Sequence, residues 1–189
     1  FAYTSFLKRA NQTLEIILDN MSINNLSVVR AWELNERHYG DLTGLNKLEM
    51  KEKLGEEQIK VYRRSWDIAP PALSGTNKYN PRFDNIYSDV DETKIPNTES
   101  LKDTYNRVLP YFNENILVHI QKDKNVIITA HGNSLRALCK KLFNISNEKI
   151  NTLEIPTGNP LVINLDANIN LINSYYIDES RAQNIVKNE

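Results

Sequence analysis

Apolar residues recur every three or four positions along residues 4 to 20, which is the spacing of one face of an α-helix. This stripe consists of Leu7, Ala10, Leu14, Ile17 and Leu18. The pattern predicts an amphipathic helix that packs its apolar face against the rest of the protein. The next apolar run, "SVVRAW" at residues 27 to 32, is short and β-branched, so it predicts a strand.

Two stretches with different patterns follow. Residues 46 to 66 are rich in charge and helical in period, and Gly55 is expected to divide them into two helices. Residues 67 to 100 contain four of the seven prolines and many Asn and Asp residues, so a long irregular surface segment is expected there. Such a segment can serve as a functional loop or lid, or it can be an insertion without a role of its own.

The pattern becomes regular again at Ser100, which with Asp103 resembles a capping box. Apolar residues from 101 to 120 keep helical spacing despite Pro110. Further elements are expected as follows: a strand at 125–130, a helix at 134–143, a short helix from Ser146 to Leu153, paired strands at 160–166 and 169–177, and a polar helix or tail at the end.

Helices that alternate with short apolar strands indicate an α/β layered fold with a mostly parallel sheet. A length of 189 residues is enough for one sizeable core, so a single domain over residues 1 to 189 is expected. The net charge of −1 gives no electrostatic reason to expect a nucleic acid or an anionic membrane as partner. The single cysteine, Cys139, excludes an internal disulfide and fits a reducing compartment.

The stretch "NVIITAHGNSLR" places His131 on a turn between a strand and a helix. In α/β folds, ligands bind outside the carboxyl ends of the strands. Gly132 allows close approach of a ligand to the backbone, and the amides at Asn133 and Ser134 favour an anion. His131 is therefore a candidate phosphate binder or acid/base, or a residue that only hydrogen-bonds within its turn.

The stretch "LNERHYG" places four polar side chains directly after the strand at residues 27 to 32. Glu36 is a candidate proton donor or acceptor, because functional groups concentrate in loops that rigid elements position. The alternative is a solvated loop with an internal Glu–Arg pair, and for Arg37 and His38 this alternative is favoured.

Cationic side chains form a third group of candidates, which comprises Lys8, Arg9, Lys47, Arg63 and Arg64. Arginine suits bidentate recognition of carboxylates and phosphates. Taken one at a time, these residues are better explained as solvent-facing charges on amphipathic helices. In the sequence, no two histidines or cysteines have the spacing of metal ligands.

Six longer segments follow one another along the chain: "YTSFLKRANQT", "LNERHYGDLTGLNK", "GEEQIKVYRRSWDIAPP", "ESLKDTYNRVLPYF", "AHGNSLRAL" and "IPTGNPLV". Together and in this order they resemble the 2,3-bisphosphoglycerate-dependent phosphoglycerate mutases, a branch of the histidine phosphatase superfamily. This resemblance implies a three-layer α/β/α sandwich, cytoplasmic location, a homo-oligomer, and interconversion of 3-phosphoglycerate and 2-phosphoglycerate in glycolysis. It also implies a phosphohistidine primed by 2,3-bisphosphoglycerate, without a metal.

The resemblance also implies roles for individual residues. Glu36 corresponds to the proton donor and acceptor for the substrate hydroxyl, His131 to the histidine that stabilises the transferring phosphoryl group, and Arg9 to the arginine that holds this group. The positions that match substrate-binding residues are Tyr39, Lys47, Arg63, Arg64, Gly132 and Asn133.

One departure concerns the nucleophile, which in the family lies in an Arg-His-Gly-Glu motif on the first strand. The sequence contains no such motif. We therefore expect the chain to be N-terminally incomplete, lacking the strand that carries this histidine. Two rival hypotheses stay open: a bisphosphoglycerate mutase or phosphatase of the same superfamily, and a truncated, inactive chain that binds phosphorylated ligands.

Overall fold

The computed structural model describes residues 1–182, with the side chain of Lys47 excepted, and they form two compact units. The first unit contains Phe1–Glu36 and the chain from Tyr105 onward, and the second contains Arg37–Thr104. The expected single domain over residues 1 to 189 stays a prediction. The part of the expected C-terminal helix or tail beyond residue 182 lies outside the described residues.

The first unit is built on a parallel sheet of three strands in the order β2-β1-β3. These strands are β1 (Ala2–Thr4), β2 (Val28–Arg30) and β3 (Ile127–Thr129). In this register, Tyr3 of β1 lies opposite Val29 of β2 and Ile128 of β3. The parallel sheet and the strands predicted at residues 27–32 and 125–130 are therefore confirmed.

Helices cover both faces of this sheet. Successive strand residues point to opposite faces. On one face, the hydroxyl of Thr129 donates to the carbonyl of Ala10 (3.3 Å) in helix α1, Lys8–Asn20. On the other face, the hydroxyl of Tyr3 donates to the carbonyl of Asn115 (2.7 Å), in the helical segment before β3. The predicted three-layer α/β/α arrangement is confirmed.

The first predicted helix begins four residues later than expected. Residues 4 to 20 were expected to be helical, but Thr4 belongs to β1, and Leu7 is still extended (φ −74°, ψ 132°). The main chain of β1 is hydrogen-bonded to strands on both sides, and these long-range pairs override the local helical spacing.

The predicted helix over residues 101–120 is interrupted rather than continuous. It consists of α4 (Leu101–Tyr111), a π-helical turn (Phe112–Ile116) and α5 (Leu117–Ile120). Pro110 has no N–H and its ring crowds the preceding turn, and the wider π turn follows directly after it. The predicted capping box is present, because the Ser100 N–H donates to Asp103 (2.9 Å) and the Asp103 N–H to Ser100 (3.2 Å).

The core of the first unit lies between the sheet and the helices on its Tyr3 face. Its buried members are Tyr3, Ala31, Leu34, Val108, Phe112, Ile116, Ala137 and Leu138. The last two belong to α6 (Gly132–Leu142), which begins three residues after the end of β3 at Thr129. This packing holds the N-terminus of α6 at the carboxyl edge of the sheet.

The rest of the first unit is a hairpin with short helical turns. Strands β4 (Leu161–Leu165) and β5 (Leu171–Tyr176) pair antiparallel, which confirms the predicted hairpin. Only a 3₁₀ turn, Ile150–Thr152, forms where a short helix was predicted up to Leu153. Further 3₁₀ turns lie at Trp32–Leu34 and Glu179–Arg181.

The second unit contains two helices, α2 (Lys47–Leu54) and α3 (Glu56–Arg64). Gly55 separates them with a positive φ of 76°, as predicted for a helix-breaking glycine. Irregular chain follows, with short 3₁₀ turns at Pro81–Phe83, Asn85–Tyr87 and Glu92–Lys94; another lies at Gly40–Leu42. None of the helices over residues 1–182 has the length and hydropathy that a membrane crossing requires.

Candidate active site

His131 lies at the N-cap of α6, at the carboxyl end of β3, and only 5% of it is exposed. Both of its ring nitrogens have partners from the segment after β1. Nε2 lies 2.8 Å from the hydroxyl of Ser5, and Nδ1 accepts from Nε of Arg9 at 3.1 Å. The histidine and the arginine predicted from the sequence are therefore in direct contact.

This geometry defines the state of the imidazole. The guanidinium of Arg9 only donates, so Nδ1 carries a lone pair and the proton of the neutral ring is on Nε2, facing Ser5. Burial, followed by the positive charge of Arg9, lowers the pKa of His131 to about 4; Glu36 opposes this shift and Arg107 adds to it. His131 is neutral at pH 7.

Ser5 is a site residue that sequence reasoning missed. Its side chain is fully buried, and its hydroxyl oxygen also accepts from the N–H of Leu7 (3.1 Å). Ser5 lies directly after β1, within "YTSFLKRANQT". Its position after a strand is the feature that could have identified it, because the carboxyl ends of adjacent parallel strands meet at one edge of the sheet.

Glu36 reaches the N-terminus of α6 from the loop after β2. Its Oε1 accepts from the backbone N–H of Asn133 (3.2 Å) and from Nδ2 of the same residue (2.9 Å). Arg136 donates to Oδ1 of Asn133 (3.0 Å), which turns the amide nitrogen of Asn133 toward the carboxylate. The sequence predicted that the α6 N-terminus favours an anion, and the carboxylate of Glu36 lies there.

The loop that carries Glu36 is held by Arg107 of α4, which sequence reasoning also missed. Its guanidinium donates to the carbonyls of Glu33 (2.6 Å), Asn35 (3.1 Å) and Glu36 (3.3 Å). The side chain of Asn35 accepts from the N–H of Phe6 (2.9 Å), which joins this loop to the loop after β1. The spacing of apolar residues along a helix does not show which of its polar side chains holds a distant loop.

Gly132 is the first residue of α6 and is half-buried. A Cβ at this position would meet no heavy atom within 4 Å, and its φ is not in the left-handed region. Neither the backbone nor the packing of the described residues therefore requires glycine here.

Four of the predicted substrate-binding residues belong to the second unit. Tyr39 is half-buried, and the guanidinium of Arg37 lies 4.8 Å from its ring centroid. Arg63 and Arg64 are exposed in the last turn of α3, and Lys47 is the first residue of α2. Their role in substrate binding stays a prediction.

The interpretation of residues 37 and 38 as a solvated loop is wrong for Arg37, of which only 2% is exposed. The N–H of His38 donates to the carboxylate of Glu99 (2.8 Å), and its carbonyl accepts from the N–H of Glu99 (2.9 Å). Glu99 is buried, so this part of the second unit is an ordered turn. Local charge density did not predict its burial, because the partner comes from a distant segment.

Other candidate chemistry is not supported. Burial raises the pKa of the Cys139 thiol to about 12, so it is not an activated nucleophile. Within residues 1–182, no group of three or more His, Cys, Asp and Glu side chains is arranged to hold a metal ion.

Comparisons with known proteins agree with this architecture. The model of the histidine phosphatase superfamily (branch 1) matches residues 1–77 and 74–177. The chain is 51% identical over 186 residues to the 2,3-bisphosphoglycerate-dependent phosphoglycerate mutase of Pelagibacter ubique, covering 98% of this chain and 78% of that protein. It is 48% identical to 2,3-bisphosphoglycerate-dependent phosphoglycerate mutase 2 of Bacteroides thetaiotaomicron, covering 93% and 71% respectively.

Solved structures share the fold at lower identity. The α-ribazole phosphatase of Shigella flexneri has a TM-score of 0.63 at 20% identity, over 90% of this chain and 69% of that one. A mycobacterial glucosyl-3-phosphoglycerate phosphatase solved with inorganic phosphate has a TM-score of 0.56 at 20% identity and covers 81% of this chain. This chain spans 63% of the length of that phosphatase, which is less than two thirds.

The chain therefore belongs to branch 1 of the histidine phosphatase superfamily and, within that branch, to the family of its curated relatives, the 2,3-bisphosphoglycerate-dependent phosphoglycerate mutases. The family resemblance carried by the six segments is confirmed.

Proposed function

We propose that the protein interconverts 3-phosphoglycerate and 2-phosphoglycerate, a reaction of glycolysis, through a phosphohistidine that 2,3-bisphosphoglycerate primes. The observation that carries the proposal is the network in which the carboxylate of Glu36 and the His131–Arg9 pair are held at the start of one helix. Phosphoryl transfer depends mainly on positioning and on positive charge around the transferred group, and this network supplies both. The mutase of Pelagibacter ubique, which is 51% identical in sequence to this chain, adds support.

Arg9 and His131 act on the transferring phosphoryl group. The guanidinium of Arg9 supplies positive charge and several donors for the equatorial oxygens, and its exposed side chain has room to turn toward them. A phosphoryl dianion beside His131 favours the protonated ring, which raises its pKa and makes Nδ1 a donor as well. The hydroxyl of Ser5 accepts from Nε2 in either state and keeps the ring in place.

Glu36 exchanges a proton with the substrate hydroxyl that gives or receives the phosphoryl group. The two N–H donors on its Oε1 fix the direction of the carboxylate before substrate arrives. A general base needs this orientation because proton transfer requires hydrogen-bond distance to the reacting hydroxyl.

The remaining predicted residues hold the substrate, which carries one carboxylate and one phosphate. Cations and N–H donors are the groups that recognise such anions. The residues that we assign to this role are Tyr39, Lys47, Arg63, Arg64, Gly132 and Asn133. No metal takes part in the proposed mechanism.

We also infer that the protein acts in the cytoplasm as a homo-oligomer. A glycolytic reaction and a single buried cysteine fit a reducing compartment. In the described sheet β2 is an edge strand, and Val28 on it is 40% exposed. An exposed edge strand invites pairing with a second chain.

The full-length protein tests the proposal directly. With 3-phosphoglycerate as substrate and catalytic 2,3-bisphosphoglycerate, we expect rapid formation of 2-phosphoglycerate and slow release of inorganic phosphate. Faster phosphate release than isomerisation would assign the protein to the phosphatases of the superfamily. Tight binding of phosphoglycerate without turnover would support the inactive phospholigand-binding alternative.

A further inference from the structure

We propose that Arg107 is a positioning residue for Glu36, holding the main chain of residues 32–36 so that the carboxylate stays aimed at the reaction. This inference rests on the proposed function of Glu36 in proton transfer. Arg107 itself faces backbone carbonyls, so it is not assigned a contact with substrate.

The contacts of Arg107 are concentrated on one short segment. NH1 donates to the carbonyl of Glu33 (2.6 Å), and NH2 donates to the carbonyls of Asn35 (3.1 Å) and Glu36 (3.3 Å). The guanidinium carbon also lies 5.7 Å from the ring centroid of Trp32. One side chain therefore contacts four residues within a stretch of five.

The segment needs an external partner because of its local structure. Trp32–Leu34 is a single 3₁₀ turn, and Asn35 leaves it in an extended conformation (φ −59°, ψ 159°). The carbonyl of Glu33 belongs to this turn and those of Asn35 and Glu36 follow it, and a basic side chain near the end of a helical turn can donate to such carbonyls. The planar guanidinium of arginine can donate to several carbonyls at once, whereas the compact ammonium group of lysine cannot reach them in the same geometry.

Arg107 is itself mounted on a rigid element. The next residue along α4, Val108, is fully buried in the core, together with Phe112 one turn later. Positions on a packed helix hold their partners more precisely than positions on loops. The core of the first unit therefore sets the position of the Glu36 main chain.

Glu36 thus has two separate anchors. Asn133 of α6 holds its carboxylate, and Arg107 of α4 holds its main chain. If the second anchor is removed, the main chain beneath the carboxylate loses the hydrogen bonds that Arg107 donates. A displacement of about 1 Å of a reacting group can cost on the order of 100-fold in rate.

A double-mutant cycle on the full-length protein separates positioning from general stabilisation. We expect Arg107→Met to lower kcat about 10- to 100-fold with little change in KM. In a Glu36→Gln background, the same substitution should lower kcat by less than about 2-fold, because the group that it positions is already inactive. Equal losses in both backgrounds, or a loss confined to KM, would overturn the proposal.

Two further variants guard against a failure to fold. Arg107→Lys keeps the charge and the aliphatic stem, so we expect near-normal thermal stability but a kcat still well below wild type. Arg181→Met is the matched control, because Arg181 also donates to a backbone carbonyl, that of Thr157 (2.8 Å), and is exposed. Its kinetics should equal those of the wild type.

A readout without turnover separates this proposal from the proposed function. The side-chain amide signal of Asn133 in a ¹⁵N-correlated NMR spectrum reports the hydrogen bond to Glu36. We expect the signal to move in Arg107→Lys or Arg107→Met and to stay in Arg181→Met. A wild type without mutase activity would overturn the proposed function alone, whereas an unmoved signal would overturn the role of Arg107.

Discussion

The two units carry their candidate site residues in opposite ways. In the first unit, His131 and Asn133 are buried, and each is hydrogen-bonded to another candidate residue, Arg9 and Glu36 respectively. In the second unit, Arg63 and Arg64 are exposed at the end of α3.

Buried and mutually bonded side chains are preorganised, which suits groups whose position decides a rate. An exposed position suits a group whose charge decides affinity.

Replacing Glu36 with Gln should lower kcat about 10²- to 10⁴-fold, the range for loss of a general acid–base group. The amide oxygen of Gln can still accept from Asn133, so folding should be unaffected. In a full-length protein that includes the nucleophilic histidine of the family, intact mass spectrometry after incubation with 2,3-bisphosphoglycerate should still detect the phosphoenzyme. Glu15→Gln, on the exposed face of α1, is the control and should retain full activity. Unchanged turnover in Glu36→Gln would remove Glu36 from its assigned role.

Stability should depend on pH through His131. Its pKa is about 4 in the folded protein, below the ordinary 6.5, so the unfolded chain binds the proton first. The contribution of neutral His131 to the free energy of unfolding is therefore fully present above pH 6.5 and is lost as the pH falls to about 4. The shift corresponds to about 3 kcal/mol as an upper estimate.

Urea unfolding at pH 7 and at pH 4 measures this dependence. Wild type should lose more free energy of unfolding between the two values than His131→Asn, in which the titrating group is absent. The comparison cancels the carboxylates, which titrate in both proteins. An equal loss would mean that His131 is not held neutral by its buried contacts.

Arg63→Met and Arg64→Met should affect binding rather than chemistry. We expect KM for phosphoglycerate to rise about 10- to 100-fold, since a charge-assisted hydrogen bond contributes roughly 1.5–3 kcal/mol. The free energy of unfolding should stay within about 0.5 kcal/mol of wild type, as for other exposed sites. Lys60→Met, exposed on the same helix, is the matched control. A large fall in kcat with KM unchanged would contradict the division between the two units.

The smallest effect is expected at Gly132. The added methyl group of Gly132→Ala would meet no side chain of residues 1–182 within 4 Å, so stability should change by less than about 0.5 kcal/mol. If the backbone here contacts substrate, KM should rise a few-fold. Gly40→Ala in the second unit is the contrast, because its Cβ would lie 2.1 Å from the carbonyl oxygen of Pro71 and its φ is 56°. Thermal unfolding should show a clear loss of stability in Gly40→Ala only, and similar losses in both variants would contradict this account.

Much of the fold followed from local patterns. Helical spacing predicted α1, α4 and α6, and β-branched runs predicted β2, β3 and the hairpin, because each pattern reflects which side of one element is buried. The errors have two different causes, one a distant contact and one a local residue. The main-chain pairing of β1 delayed the start of α1, and the π turn after Pro110 interrupted a helix that spacing alone would have continued.

The sequence by itself determined the family of the protein and the order of most of its elements, and it predicted three candidate chemical groups, namely Glu36, His131 and Arg9. Only the tertiary structure decided which atoms meet. Asn133 and Glu36 lie 97 positions apart, and they are joined because parallel strands bring their carboxyl ends to one edge. Ser5 and Arg107 could not be found from periodicity, because their hydrogen-bond partners, His131 and the loop of residues 33–36, are distant in the sequence. Such contacts are decided by distance in space and leave no repeating pattern along the chain.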